Sequence, residues 1–129
     1  MNKKEKLESD EAEIRADIRL RFARSGPYFG KGTMMLLREI QKSGNVRKAC
    51  ENCGFSYSKG WTILEKCEKG LGYKVVDRRQ GGSGGGIAEV NETGKKLMRI
   101  FDELNRELSD FADRRFRELM DENGLNKDE

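Results

Sequence analysis

The chain has 129 residues, 35% of them apolar and 38% charged, which suits a single small domain with a thin core and a heavily solvated surface. No apolar run approaches the ~18 residues of a membrane span. The opening Met-Asn-Lys-Lys-Glu-Lys-Leu-Glu lacks the apolar segment of a signal peptide, so the cytoplasm is the expected location and no membrane partner is expected. The absence of histidine removes most acid–base schemes at neutral pH and every mixed Cys/His zinc site.

Charge is unevenly spread. Residues 1–30 carry seven basic and six acidic side chains, residues 31–90 eleven and six, and residues 91–129 eight and eleven. The basic excess in the middle segment suits a polyanion partner.

Residues 1–13 read as a frayed N-terminus. Ile14, Ala16, Ile18, Leu20 and Phe22 then alternate with Arg15, Asp17, Arg19 and Arg21. This period of two predicts a half-buried strand, stopped by Ser25-Gly26-Pro27. After the Gly30-Lys31-Gly32 bend, Met34, Leu36, Leu37 and Ile40 predict a short helix ending at Gly44. Asn45 is an N-cap for a second helix, Val46 to about Asn52. Gly54 supplies a left-handed turn and Phe55 a plug into the core. Ser56 caps a third helix from Tyr57 to about Lys69, with Trp61, Ile63 or Leu64, and Cys67 on its inner face.

Tyr73 to Arg78 and Ile87 to Val90 predict two strands flanking Gly81-Gly82-Ser83-Gly84-Gly85-Gly86. Asn91 caps a last helix that runs to about Asn123 before Gly124. Its apolar side chains, among them Leu97, Ile100, Phe101, Leu104, Leu108 and Phe111, keep to one side. The stripe is too long for so small a domain to cover, so a second copy of the chain is the expected partner. The fold class is therefore mainly α with a small β-hairpin: a winged helix-turn-helix domain over residues 14–91, a dimerisation helix over 92–123 and a tail over 124–129.

The third helix begins with Ser56, Tyr57, Ser58 and Lys59, and Thr62 and Lys66 follow on its outer side. Helix N-termini present free N–H groups and a positive dipole end, and hydroxyls, Lys and Tyr reach phosphates or base edges from there. The dull alternative is an N-cap with ordinary solvated neighbours. Arg47 and Lys48 of the second helix and Arg78, Arg79, Gly81, Gly82, Ser83 and Gly84 of the hairpin complete the candidate DNA-binding set.

The glycine tract has three readings. A wing tip would bring its backbone N–H groups close to a phosphate ribbon, a linker would be flexible, and a nucleotide loop would need a motif that does not fit. Ile87 stands where a third glycine is required, and Gly32 where a P-loop needs Ser or Thr. Cys50-Glu51-Asn52-Cys53, even with Cys67, falls short of a four-ligand zinc site. A redox role would need a thioredoxin-like βαβ setting, and the simplest reading makes Cys50 a small residue between two close helices. Carboxylates such as Asp102-Glu103 and Asp110/Asp113, with Arg106, Arg114 and Arg117 nearby, read as surface ion pairs. No metal, cofactor or catalytic constellation is expected.

Gly-x-Gly before the first helix, Gly54-Phe-Ser56-Tyr57-x-x-Gly-Trp61, Asp77-Arg78-Arg79-x-Gly81-Gly82-x-Gly84-Gly85-Gly86 and Gly94 together resemble the N-terminal domain of ModE-type molybdate-responsive transcriptional regulators. LysR-type regulators are related to these. The resemblance covers about residues 14–120 and implies a winged-helix homodimer on double-stranded operator DNA, with the last helix in the dimer contact. Full-length members continue into a C-terminal oxyanion-binding module that has no counterpart before Glu129. The expected signal is therefore a separate ligand-sensing chain, or none. The competing expectation is a winged-helix module that uses its basic face on an acidic protein.

Overall fold

The computed structural model describes residues 13–80 and 86–126. Two β-strands, β1 (Phe22–Ala23) and β2 (Pro27–Phe29), precede three helices, α1 (Lys31–Ser43), α2 (Val46–Cys53) and α3 (Tyr57–Leu71). The hairpin β3 (Val76–Arg79) and β4 (Ile87–Val90) follows, and then the long α4 (Glu92–Glu122). The architecture is a mainly α winged helix with a long C-terminal helix. Residues 19–108 form one compact unit; residues 13–18 and 109–126 belong to another.

The helices lie where periodicity and caps put them. Asn45 Oδ1 accepts from the Lys48 N–H at 2.7 Å, and Ser56 Oγ from the Lys59 N–H at 3.1 Å. Asn91 Oδ1 does the same for Gly94 at 2.9 Å. Each satisfies one of the free amides of a helix start. Gly54 ends α2 at φ 77°, a conformation that costs glycine little. Its N–H reaches back to Glu51, and Phe55 donates to the Cys50 carbonyl, which closes the turn between α2 and α3.

The β1 region departs from expectation. The alternation from Ile14 to Phe22 predicts a strand along that whole run, but residues 13–21 have no regular secondary structure. Pairing is confined to Phe22–Ala23 against Pro27–Phe29, with Phe22 opposite Phe29. Alternation alone does not make a strand, because the backbone needs a neighbour for its N–H and C=O groups. This chain supplies one of three residues. Ser25-Gly26-Pro27 does mark the end of β1, and it also leads into a second strand at Pro27. Ile14 and Ile18 stand exposed. The strand predicted from Tyr73 likewise starts later, at Val76, and Tyr73 is exposed.

The core of the first unit is built from Leu36, Leu37 and Ile40 of α1, Ala49 and Cys50 of α2, and Leu64 and Cys67 of α3, joined by Val75, Val76 and Val90 at the hairpin base. Leu97, Met98 and Phe101 of α4 complete it. Phe101 sits against two aromatic rings of the β1–β2 hairpin, 5.6 Å from Phe22 and 5.2 Å from Phe29 between centroids. Leu97 and Phe101, expected in the contact with a second copy, are 6% and 7% exposed within the chain's own core. Ile100, Leu104 and Leu108 on the same helix remain exposed. In the second unit Phe111 and Leu119 are exposed as well. Asp102, expected to pair along its own helix, instead binds Arg38 of α1 at 2.7 Å.

Candidate nucleic-acid interface

Where α2 meets α3, the two helices come unusually close. A Cβ at Gly60 would lie 2.1 Å from Cys50 Sγ, so the small Cys50 and the bare Gly60 together permit the packing. This fixes the angle at which α3 presents its N-terminal face.

Four side chains then form a continuous row, two adjacent rings with a cation at each end. The Arg47 guanidinium lies 4.1 Å above the Tyr57 ring. Tyr57 meets Trp61 edge-on at 6.0 Å, and the Arg78 guanidinium lies 4.3 Å above Trp61. Tyr57 and Trp61 share a face because four residues make about one helical turn. The row runs from α2 across the start of α3 to β3. Trp61 and Ile63, expected on the inner face, are half-buried, while Leu64 and Cys67 are fully enclosed.

Ser58, Lys59, Thr62 and Lys66 are exposed on α3, as is the Ser56 cap. Lys59 Nζ rests 4.8 Å from the centre of the Phe55 ring, a weak tether that leaves its charge presented. On α2, Lys48 Nζ approaches Glu51 at 3.9 Å, an exposed pair of little energetic weight. Lys66 stands apart from the row: with Arg21, Gly30, Thr33 and Ile63 it lines a cleft of about 210 Å³ against the β1–β2 hairpin.

The hairpin pairs Val76 with Val90, Asp77 with Glu89, Arg78 with Ala88 and Arg79 with Ile87. Strand alternation puts Arg78 on the same side as the buried Val76, and Arg79 on the other. Arg79 is exposed. The β4 strand hangs from the α1–α2 junction, where the Ala88 N–H donates to the Gly44 carbonyl and Asn45 Nδ2 to the Gly86 carbonyl, both at 2.9 Å. Gly81, Gly82, Ser83 and Gly84 lie outside the described residues.

Sequence reasoning treated Arg78 and Arg79 as equivalent wing charges. The structure separates them, because Arg78 is occupied by Trp61 and also by Glu68, 3.8 Å away. Glu68 and Asn45's amide also tether the hairpin, contacts that the sequence reading does not include. For Arg78, strand alternation was the available signal; for Glu68, its position two helical turns beyond Trp61 on one face was another.

None of the three thiols is activated. Burial pushes the Cys50 thiol up, and Cys53 is raised by burial and by the nearby Glu39 and Cys50. Burial, with Glu68 beside it, pushes Cys67 up to about 12. A thiol that holds its proton more tightly folded than unfolded stabilises fully below its unfolded value of about 8.5 and loses that contribution as pH rises toward the folded one. Urea-measured stability is expected to fall as pH climbs from about 8.5 toward about 12. The slope should be shallower in Cys67→Ala, by at most about 1.4 kcal/mol per pH unit. Identical slopes would contradict the burial argument. Among the described residues no group of three His, Cys, Asp or Glu side chains is arranged to hold a metal ion, and no helix is long and apolar enough to cross a membrane.

No protein-family model matches the chain. Individual proteins do. The transcriptional regulator ModE of Haemophilus influenzae is 32% identical over 71 residues, covering 55% of this chain and 28% of that protein. The DNA-binding transcriptional dual regulator ModE of Escherichia coli is 30% identical over 69 residues, covering 54% and 26%. The molybdenum-pterin-binding protein MopB of Rhodobacter capsulatus is 30% identical over 78 residues, covering 60% and 29%. This chain is thus similar to ModE-type regulators over somewhat more than half of its own length, and the match spans between 26% and 29% of theirs.

Proposed function

We propose that this chain is a sequence-specific DNA-binding transcriptional regulator that acts as a homodimer in controlling the transport or metabolism of molybdate or a related oxyanion. The observation that carries the reading is the Arg47–Tyr57–Trp61–Arg78 row beside the exposed N-terminal face of α3. It ties the recognition helix, the helix before it and the wing strand into one basic surface. In this reading Ser56, Tyr57, Ser58, Lys59 and Thr62 enter the major groove, and Arg47, Lys48, Lys66 and Arg79 meet phosphates. Gly81, Gly82, Ser83 and Gly84 complete the wing. The oxyanion theme rests on the names of the similar proteins, which include a molybdenum transport protein ModE from Herbaspirillum seropedicae.

Lys59→Ala and Arg79→Ala are each expected to weaken duplex binding and to reduce the slope of log K against log salt by about 1 per half-site. Titrations at three salt concentrations measure this. Unchanged affinity and slope in both variants would contradict the docking.

The dimer contact uses the exposed Leu104 and Leu108, with Ile100 beside them, and Phe111 further along α4. Leu104→Glu is expected to convert a dimer into a monomer in sedimentation velocity while α1–α3 stay folded. A wild-type monomer, or a variant that still sediments as a dimer, would sink that assignment.

A further inference from the structure

We propose that Glu68 and Trp61 are positioning residues: they clamp Arg78, and with it strand β3, onto the recognition helix, so that β3 with its Arg79 and α3 reach DNA as one rigid unit. The inference rests on the DNA-binding reading above and adds to it a division of labour between the two neighbouring wing arginines.

The clamp has three parts. Glu68 Oε2 accepts from the backbone N–H groups of Val75 and Val76, at 2.8 and 3.2 Å. Its other oxygen lies 3.8 Å from Arg78 Nη2. Arg78 in turn lays its guanidinium on the Trp61 ring. The two side chains of the ion pair are 14% and 27% exposed, so this contact is screened far less than a surface pair. Arg78 Nε is buried with no hydrogen-bond partner among the described residues, so the ring face and Glu68 are what hold this guanidinium.

Two consequences follow. Arg78 is paired with Glu68 and stacked on Trp61, which leaves Arg79 as the exposed cation that β3 presents outward. A strand held in place also brings Arg79 to a phosphate without first losing its own freedom, and ordering a mobile element on binding lowers affinity. Glu68 never touches DNA in this scheme; it acts through Arg79.

The test uses Glu68→Gln and Glu68→Ala in the full chain. Gln keeps an oxygen for Val75 and Val76 but turns a donor toward Arg78; Ala removes everything. Trp61 is the single tryptophan, so its emission reports the clamp in the free protein. Both variants are expected to shift that emission to the red and raise its quenching by acrylamide, with circular dichroism still helical.

The functional readout is coupling to Arg79, measured on the duplex that the wild-type protein enriches from sheared genomic DNA. Arg79→Ala is expected to lower wild-type affinity about tenfold, as loss of a charged hydrogen bond does, but less than about threefold in either Glu68 background. A residue that merely stabilised the fold would leave the Arg79 effect at its full size. Unchanged Trp61 quenching, or a full tenfold Arg79 effect in both Glu68 variants, overturns the clamp while DNA binding stands. If the wild type enriches no duplex, the DNA reading falls and takes the functional role of the clamp with it.

Discussion

Gly94→Ala is expected to destabilise the protein by about 3 kcal/mol or more, the upper range for overpacking a filled interior. A Cβ at this position in α4 would lie 2.5 Å from the Val75 carbonyl oxygen and 2.7 Å from Val90 Cγ1. The carbonyl cannot simply recede, because it accepts the Asn91 N–H at 2.9 Å, and Asn91 is the cap of α4. Moving α4 away instead would open Leu97 and Phe101 from the core. Both routes disturb the base of the wing, so DNA binding should fall along with stability. Thermal unfolding measures the first effect, with a midpoint expected to drop by roughly 10 °C. Gly26→Ala is the control, since nothing lies within 4 Å of its Cβ direction. A Gly94→Ala midpoint within 2 °C or so of wild type would show that α4 does not pack against Val75 as described.

Gly60→Ala is the second large effect, and it carries its own rescue. The added methyl meets Cys50 Sγ, and Cys50 is 1% exposed, so the sulfur has no solvent to turn into. A loss of about 1–3 kcal/mol is expected. Cys50→Ala removes the obstructing atom, so the double variant Cys50→Ala/Gly60→Ala should recover most of that loss. The coupling should reach about 1 kcal/mol or more, as for residues in direct contact. Additive losses in urea titrations would refute the close approach of α2 and α3. The same pair bears on the CxxC motif. Cys50 is there for its size, and neither it nor Cys53 has the lowered proton affinity that redox chemistry needs.

The helices were the legible part of this fold because their signals are local. Met34, Leu36, Leu37 and Ile40 recur at helical spacing, and Asn45, Ser56 and Asn91 can cap from where they stand in the chain. Contacts across the fold were harder to read. Phe22 and Phe29 pair through a turn that looked like a strand end, and Glu68 reaches Val75 and Val76 past the end of its own helix. Periodicity placed the α4 side chains on one side but could not say which edge of that band faces inward. Phe101 lies against the β1–β2 hairpin's rings and Leu97 is buried in the same core, leaving Ile100, Leu104 and Leu108 outside. The separation of Arg78 from Arg79 was within reach of strand alternation, given that Val76 points inward.

Under the proposed function, the basic surface around α3 reads a DNA sequence as a two-fold dimer. This is tested most directly by passing sheared genomic DNA over the purified protein at physiological salt and sequencing what is retained. The expected result is enrichment of a pseudo-palindromic motif, with half-sites separated by a whole number of helical turns, ~10 bp or a multiple, near genes of oxyanion transport or metabolism. Uniform retention of all sequences, or none at all, would contradict it and favour an acidic protein as the partner of this surface.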